Sequence, residues 1–367
     1  MSGVVRGWCP TAHRPMAAAD GLLVRVRPRL ARLTRAQVLG LCAAAIDHGN
    51  GQIDLTNRAN LQIRGVSPES WEPLIARLVA LELVNADPVL EARRALLVAP
   101  DWRPGDATQR IAEALMARLA ALPELPGKFG FAIDAGAEPV LRDDPADIRI
   151  ERGETGGLIL RADGRPAGTL LAPGAEIPAL VALAEWFVAS GGTGRMARHP
   201  APLPDWADRG ERPAQAAAPL PPGAHPLGAV DGLPFGRIAA QALAERVAPA
   251  TVAAIRLTPW RRMIVEGGVP DEAADPATLA TDACVGAPAC PQASVATRGV
   301  AERLAPLVRG RLHVSGCAKG CARAQRADVV LTGRDGRFDL AFDACAGDPP
   351  ARTGLDEAQI LACFGTA

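Results

Sequence analysis

Residues 53–64 read IDLTNRANLQIR, and residues 255–266 read IRLTPWRRMIVE. In the first stretch the odd positions Ile53, Leu55, Ala59, Leu61 and Ile63 are mostly apolar, while the even positions Thr56, Arg58, Asn60, Gln62 and Arg64 are all polar. Period two puts the two sets on opposite faces of a strand, one toward a core and the other forming a row of hydrogen-bond donors. After Asp54 that row contains no acid, which is unusual for a face that only meets water. The second stretch keeps the apolar phase: Met263 and Val265 stand for Leu61 and Ile63, and Gly267 for Gly65, at a constant shift of 202 residues. A strand is predicted over 22–27. Amphipathic helices are predicted over 34–47, with Thr34 as N-cap, and over 237–247, where Ile238, Ala242, Leu243 and Val247 share a face. Neither strand-helix-strand half can bury its own apolar face, so the two are expected to pair about a pseudo-two-fold axis.

Bulk composition sets the outer limits. A chain of 367 residues suggests two or more domains. Forty basic and forty acidic side chains cancel, so nothing global favours nucleic acid or an anionic membrane, and any anion recognition must be local. No apolar leader precedes Cys9, and the apolar run 177–189 is interrupted by Glu185 and is shorter than a membrane span, which reads as a buried helix in a cytoplasmic protein. A reducing compartment in turn makes paired cysteines metal ligands more readily than disulfides.

Along the remaining chain, helices are predicted over 68–83 and 106–122, short strands over 95–98 and 128–134 (the second led by Lys128), and a hairpin over 148–161. Residues 200–226 hold eight prolines and read as an extended linker. A helix over 295–307 and strands over 329–332 and 338–342 complete the chain. The expected units are a first half-domain, 1–67; an α/β segment, 68–196; a linker, 197–227; a second half-domain, 228–269; and a cysteine-bearing α/β segment, 270–367.

That last segment contains CVGAPAC at 284–290 and CAKGC at 317–321. Two cysteine pairs joined by one intervening element suggest a closed set of four ligands: Cys284, Cys290, Cys317 and Cys321. Structural zinc prefers tighter spacing than the first pair offers, whereas iron-sulfur clusters accept varied spacing. Gly286, Pro288, Pro291, Gly316 and Gly320 surround the pairs, and small or rigid residues let backbone N–H groups approach bridging sulfides. The reading is a 4Fe-4S cluster, with structural zinc and four unconnected thiols as the alternatives. Cys9 and Cys42 fall outside the set and read as structural.

The order C-x5-C then C-x3-C resembles the nitrite and sulfite reductase superfamily. Within it, the stretch His313 to Cys321, together with residues 7–28, Leu233-Pro-Phe-Gly-Arg237 and Leu257-Thr-Pro-Trp-Arg-Arg262, looks most like the precorrin-3B synthases. The resemblance implies an α+β fold in which two ferredoxin-like half-domains pair about a pseudo-two-fold axis and alternate with two α/β segments. It implies that the four cysteines hold a 4Fe-4S cluster, with Cys321 nearest a tetrapyrrole, and that Arg58, Arg64, Arg94 and Lys128 surround that tetrapyrrole. Asn60 and Gln62 add donors on the same strand face, since guanidinium and amide groups suit a carboxylated rim.

Three departures separate the chain from the reductases. Gly130 stands where they carry a second lysine, Ala95 where they carry an asparagine, and the chain is short. The resemblance therefore implies an O2-dependent monooxygenase of cobalamin biosynthesis that hydroxylates precorrin-3A at meso carbon 20 with lactone formation. A sirohaem-dependent nitrite or sulfite reductase is the alternative. An additional mononuclear non-haem iron is expected to activate O2, with no ligand assigned among His13, His48, His199, His225 and His313; His313 is a candidate to hydrogen-bond near the cluster. No strand-GxGxxG-helix unit occurs, so electrons from NADH are expected through a separate flavin reductase or ferredoxin.

Overall fold

A computed structural model describes residues 10–207, 210–271 and 275–365. Cys9 lies outside them. The described residues form four five-stranded sheets. The first consists, in spatial order, of Met16–Ala18, Gly21–Val26, Leu61–Val66, Gln52–Leu55 and Arg237–Ala239; the second of Gly223–His225, Gly228–Gly232, Arg262–Glu266, Ala254–Leu257 and Arg32–Thr34. Each half-domain thus lends one edge strand to the other, with Arg237 opposite Asp54 and Arg32 opposite Arg256. Helices Arg35–His48 and Ala240–Val247 bury Leu41, Cys42, Leu243 and Val247 in one core that both halves share. The pseudo-two-fold pairing is present, and the exchanged strands are what makes it inseparable.

The duplication extends to the α/β units. Leu96–Val98, Phe131–Asp134 and Ile148–Arg152 run parallel, with Leu158–Ala162 and Thr169–Leu170 antiparallel beyond them. Asp282–Ala283, Leu312–Ser315 and Ala327–Arg334 repeat the parallel set, followed by antiparallel Arg337–Ala344 and Arg352–Leu355. The proline-rich stretch is laid against the first of these sheets: Pro213 bridges Gly153 and Glu211 bridges Gly168, and its end supplies strand Gly223–His225.

Three local expectations are corrected. Residues 53–64 are not one strand: Gln52–Leu55 and Leu61–Val66 are separated by a tight corner in which Thr56 N–H donates to Asn60 O and Ala59 adopts φ 50°. The apolar alternation survives because the corner returns the chain antiparallel in phase, with Leu55 opposite Leu61 and Ile53 opposite Ile63. The helix expected from Arg237 begins at Ala240, because residues 237–239 pair with strand Gln52–Leu55. Lys128 does not open a strand; it sits in the turn closed by Phe129 N–H to Pro126 O, and the strand starts at Phe131. Thr34 is the N-cap expected, in a reciprocal cap with Gln37.

The half-domain sheets carry related charge networks of opposite sign. Arg64 is buried and pairs with Asp20 at 2.8 Å and Asp54 at 3.5 Å. At the equivalent position Glu266 pairs with Arg32 at 2.7 Å and with Arg256. Arg256 in turn lies 4.1 Å from the Trp102 ring, fastening the second half-domain to the first α/β unit. Nearby, Glu91 is fully buried, pairs with Arg94 at 2.8 Å and accepts from Asn85 N–H at 2.9 Å. Removing one partner of such a pair strands the other charge, so Glu91→Ala should destabilise the fold by about 3–5 kcal/mol. Urea unfolding followed by circular dichroism measures it; a midpoint unchanged from wild type would mean Arg94 is solvated rather than paired.

Candidate functional site

The cysteine pairs occupy the loops after the first two strands of the last sheet. Asp282–Ala283 leads into Cys284, and Leu312–Ser315 leads into Cys317 and Cys321. Parallel neighbours deliver their following loops to the same sheet end, so thiols far apart in sequence become neighbours. Cys284, Cys290 and Cys317 all act electrostatically on Cys321, whose thiol is pushed up chiefly by burial, then lowered by Lys319 and raised by the other three. Gly316 N–H donates to Cys284 Sγ at 3.2 Å, and Thr297 and Ser315 hydroxyls bond the carbonyls of Cys284 and Cys317 at 2.6 and 2.7 Å. The loops meet too closely for side chains: a Cβ on Gly316 would lie 2.5 Å from Ala293 Cβ, and one on Gly286 2.6 Å from Thr297 Oγ1. Four thiols with a backbone donor already aimed at sulfur fit a thiolate-bound iron-sulfur core.

Among the described residues no three His, Cys, Asp or Glu side chains close on a single point as a mononuclear ion requires. For the additional mononuclear iron, no ligand set is assigned among the described residues. The histidines are dispersed: His13 bonds Asn85 O, His199 bonds Ser190 Oγ, and His225 Nδ1 accepts from Leu227 N–H. His313 is fully buried beneath the cysteine loops and, among the described residues, makes no hydrogen bond through either ring nitrogen; burial lowers its pKa.

The polar face of the first half-domain sheet forms the floor of a cleft whose far wall is the first α/β sheet. Arg25, Arg27, Arg58 and Asn60 line it with Ala95, Leu96, Leu97, Gly127, Gly130 and Phe131. Arg58 projects from the corner, and a methyl group at Gly130 would come within 3.3 Å of its Nη1. Gln62 lies between Arg25 and Asp54 on the sheet. Arg64 is committed to Asp20 and Asp54, and Arg94 to Glu91, although Arg94 also borders an adjoining hollow with Arg27 and Asn60. Lys128 contributes a carbonyl to Arg195. Sequence reasoning missed Arg25 and Arg27. The alternation of Arg25, on strand Gly21–Val26, and Arg27, just past its end, with buried Val24 and Val26 was the available signal, and Arg25 falls opposite Gln62.

As it stands the cleft has room for about one water, roughly 10 Å³, far below the volume of a macrocycle. Arg25, Arg27 and Arg58 border that space. Across Pro145 it adjoins an open cavity of about 450 Å³ lined by Arg142, Asp143, Asp144, Arg149, Arg161, Asp163 and Arg195. There burial pushes Asp144 up to about 7, against the opposing effects of the Trp260 indole N–H at 3.1 Å and of Arg149. The folded chain therefore keeps this proton up to about pH 7, whereas the unfolded chain releases it near 4. Stability from this group is full below that lower value and is lost as pH rises through about 7. Asp144→Asn should melt above wild type at high pH, with the difference vanishing below about pH 4; parallel melting curves across that range would refute the assignment.

The first half-domain and the cysteine-bearing segment are joined directly. Ala19 N–H donates to Ala289 O beside Cys290 at 3.3 Å, and Arg298, on the helix after the first cysteine loop, reaches Asp54 at 3.4 Å.

Paired half-domains, exchanged edge strands and a four-thiol loop cluster beside an arginine-lined face define the class. Residues 14–81 match the nitrite/sulfite reductase ferredoxin-like half domain family. The fold is that of the Mycobacterium tuberculosis NirA protein, with a TM-score of 0.60 over 90% of this chain and 76% of that one at 19% identity. A precorrin-3B synthase from Sinorhizobium sp is 35% identical over 393 aligned positions, spanning 94% of this chain and 84% of the relative. The chain belongs to the precorrin-3B synthase family and is an enzyme.

Proposed function

We propose that the chain is an oxidoreductase of cobalamin biosynthesis that hydroxylates precorrin-3A. Of the two oxygen atoms of O2, one becomes a hydroxyl on meso carbon 20 while an acetate side chain closes a lactone on the macrocycle; the other leaves as water. Two electrons and two protons are needed, supplied by NADH and a proton through a separate flavin reductase or ferredoxin. When bound, a 4Fe-4S cluster held by Cys284, Cys290, Cys317 and Cys321 would relay those electrons singly.

The observation that carries this reading is the contact between the cysteine-bearing segment and the first half-domain, whose sheet bears the arginines, through Ala19 with Ala289 and Asp54 with Arg298. Arg58 and Asn60, with Arg25 and Arg27 beside them, offer donors to rim carboxylates, and Arg58 can give a two-pronged bond. Gln62, Arg64, Arg94 and Lys128 stand around this group, Arg64 and Arg94 being paired with Asp20, Asp54 and Glu91. Gly130 leaves space beside Arg58 and adds no cation, which suits a large carboxylated substrate better than a small oxyanion.

The test is anaerobic purification with iron, sulfide and zinc analysis, then incubation with precorrin-3A, a reductant and O2. The expected outcome is iron and sulfide without zinc, a broad brown absorption, and a product heavier by one oxygen atom. A red-absorbing sirohaem and reduction of nitrite or sulfite would overturn it.

A further inference from the structure

The corner that presents Arg58 has a twin in the second half-domain. Thr56 N–H donates to Asn60 O at 2.9 Å, and Thr258 N–H to Arg262 O at 3.1 Å; the left-handed residue is Ala59 in one and Arg261 in the other, with φ 50° and 57°. A side-chain-bearing residue in that region is held by its surroundings. Ala59 has no reach, whereas Arg261 extends to both cysteine segments.

Its Nη1 pairs with Asp282 at 2.8 Å and lies 3.3 Å from Thr281 O, and its Nη2 donates to Ala322 O at 3.1 Å. Asp282 stands two residues before Cys284, and Ala322 directly follows Cys321. The Asp282 carboxylate is largely buried and also receives Arg323 at 3.4 Å and Arg311 at 3.6 Å. A planar guanidinium spanning two chain segments sets their separation in a way that a flexible ammonium, with one point of attachment, does not.

We propose that Arg261 is a positioning residue for the four-thiol cradle: by bridging Asp282 and the Ala322 carbonyl it holds the loops of Cys284 and Cys321 at the spacing an iron-sulfur core needs. The inference rests on the cluster reading above. The two corners have thus diverged, one toward the substrate cleft and the other toward the cluster.

The test uses the reconstituted full chain as wild type, Arg261→Lys and Arg261→Gln, with exposed Arg337→Gln as a control for lost surface charge. Iron release to a chelator is followed by absorbance, and the reduced cluster by electron paramagnetic resonance. Both Arg261 variants should release iron roughly tenfold faster or more, as with other groups that orient metal ligands, and should broaden the signal, while Arg337→Gln matches wild type. Should Arg261→Gln fail to fold, Arg261→Lys decides, because it keeps the charge beside Asp282 and loses only the bridge. Release from Arg261→Lys within about twofold of wild type, or equal acceleration in Arg337→Gln, overturns the inference. A wild-type protein that takes up no iron overturns the cluster reading instead.

Discussion

Serine in place of Cys321, or of Cys284, Cys290 or Cys317, should abolish the brown absorption and bring bound iron below about one atom per chain, against four for an intact cluster. Serine keeps the shape of the loop but is a poor thiolate substitute, and Cys284, Cys290 and Cys317 all act electrostatically on Cys321. The fold should survive, because the last sheet has its own core of Val300, Leu304, Leu312, Val314, Leu331 and Leu340. Product formation should fall to background in all four variants, with the far-ultraviolet spectrum of wild type retained. If any one variant keeps full iron content, that cysteine is not a ligand; if all do, the metal lies elsewhere. Serine at Cys42, which is buried in the half-domain core, should leave iron content unchanged.

Arg58→Ala should weaken tetrapyrrole binding by roughly 10–100-fold. A hydrogen bond to a charged group contributes about 1.5–3 kcal/mol, and each 1.4 kcal/mol is tenfold in affinity. Arg58→Lys should recover only part of this, since the ammonium restores charge without the fork. Anaerobic absorbance titration with precorrin-3A measures both. Cluster content should not change, because the residues that hold the cysteine loops, Thr297, Ser315 and Gly316, do not involve Arg58. Unaltered affinity in Arg58→Ala would move the substrate away from this cleft. Like effects are expected at Arg25, where the sheet register places another guanidinium beside Gln62.

Much of this was legible in one dimension. The repeat at a shift of 202 residues announced two half-domains, because burying an apolar face imposes the same periodicity on each copy. The corner at Thr56 to Asn60 was not legible: polar alternation continues through it, and only the Thr56 and Asn60 backbone bond and the left-handed Ala59 reveal the reversal. The exchanged strands were equally hidden, since residues 32–34 and 237–239 are too short to show a period.

From its order alone the chain determined the duplication, the four grouped thiols and the arginine-bearing face, because each is a matter of residue type at a fixed interval. Only the tertiary structure decided how each cation is engaged. Arg64 and Arg94 are bound by Asp20, Asp54 and Glu91, Arg27 donates to the Glu91 and Ala92 carbonyls, and Arg25 and Arg27 join Arg58 in the cleft wall. The reason is that a charge in a partly buried setting is governed by whichever opposite charge the fold brings within a few ångströms, and those partners come from strands and helices remote in sequence.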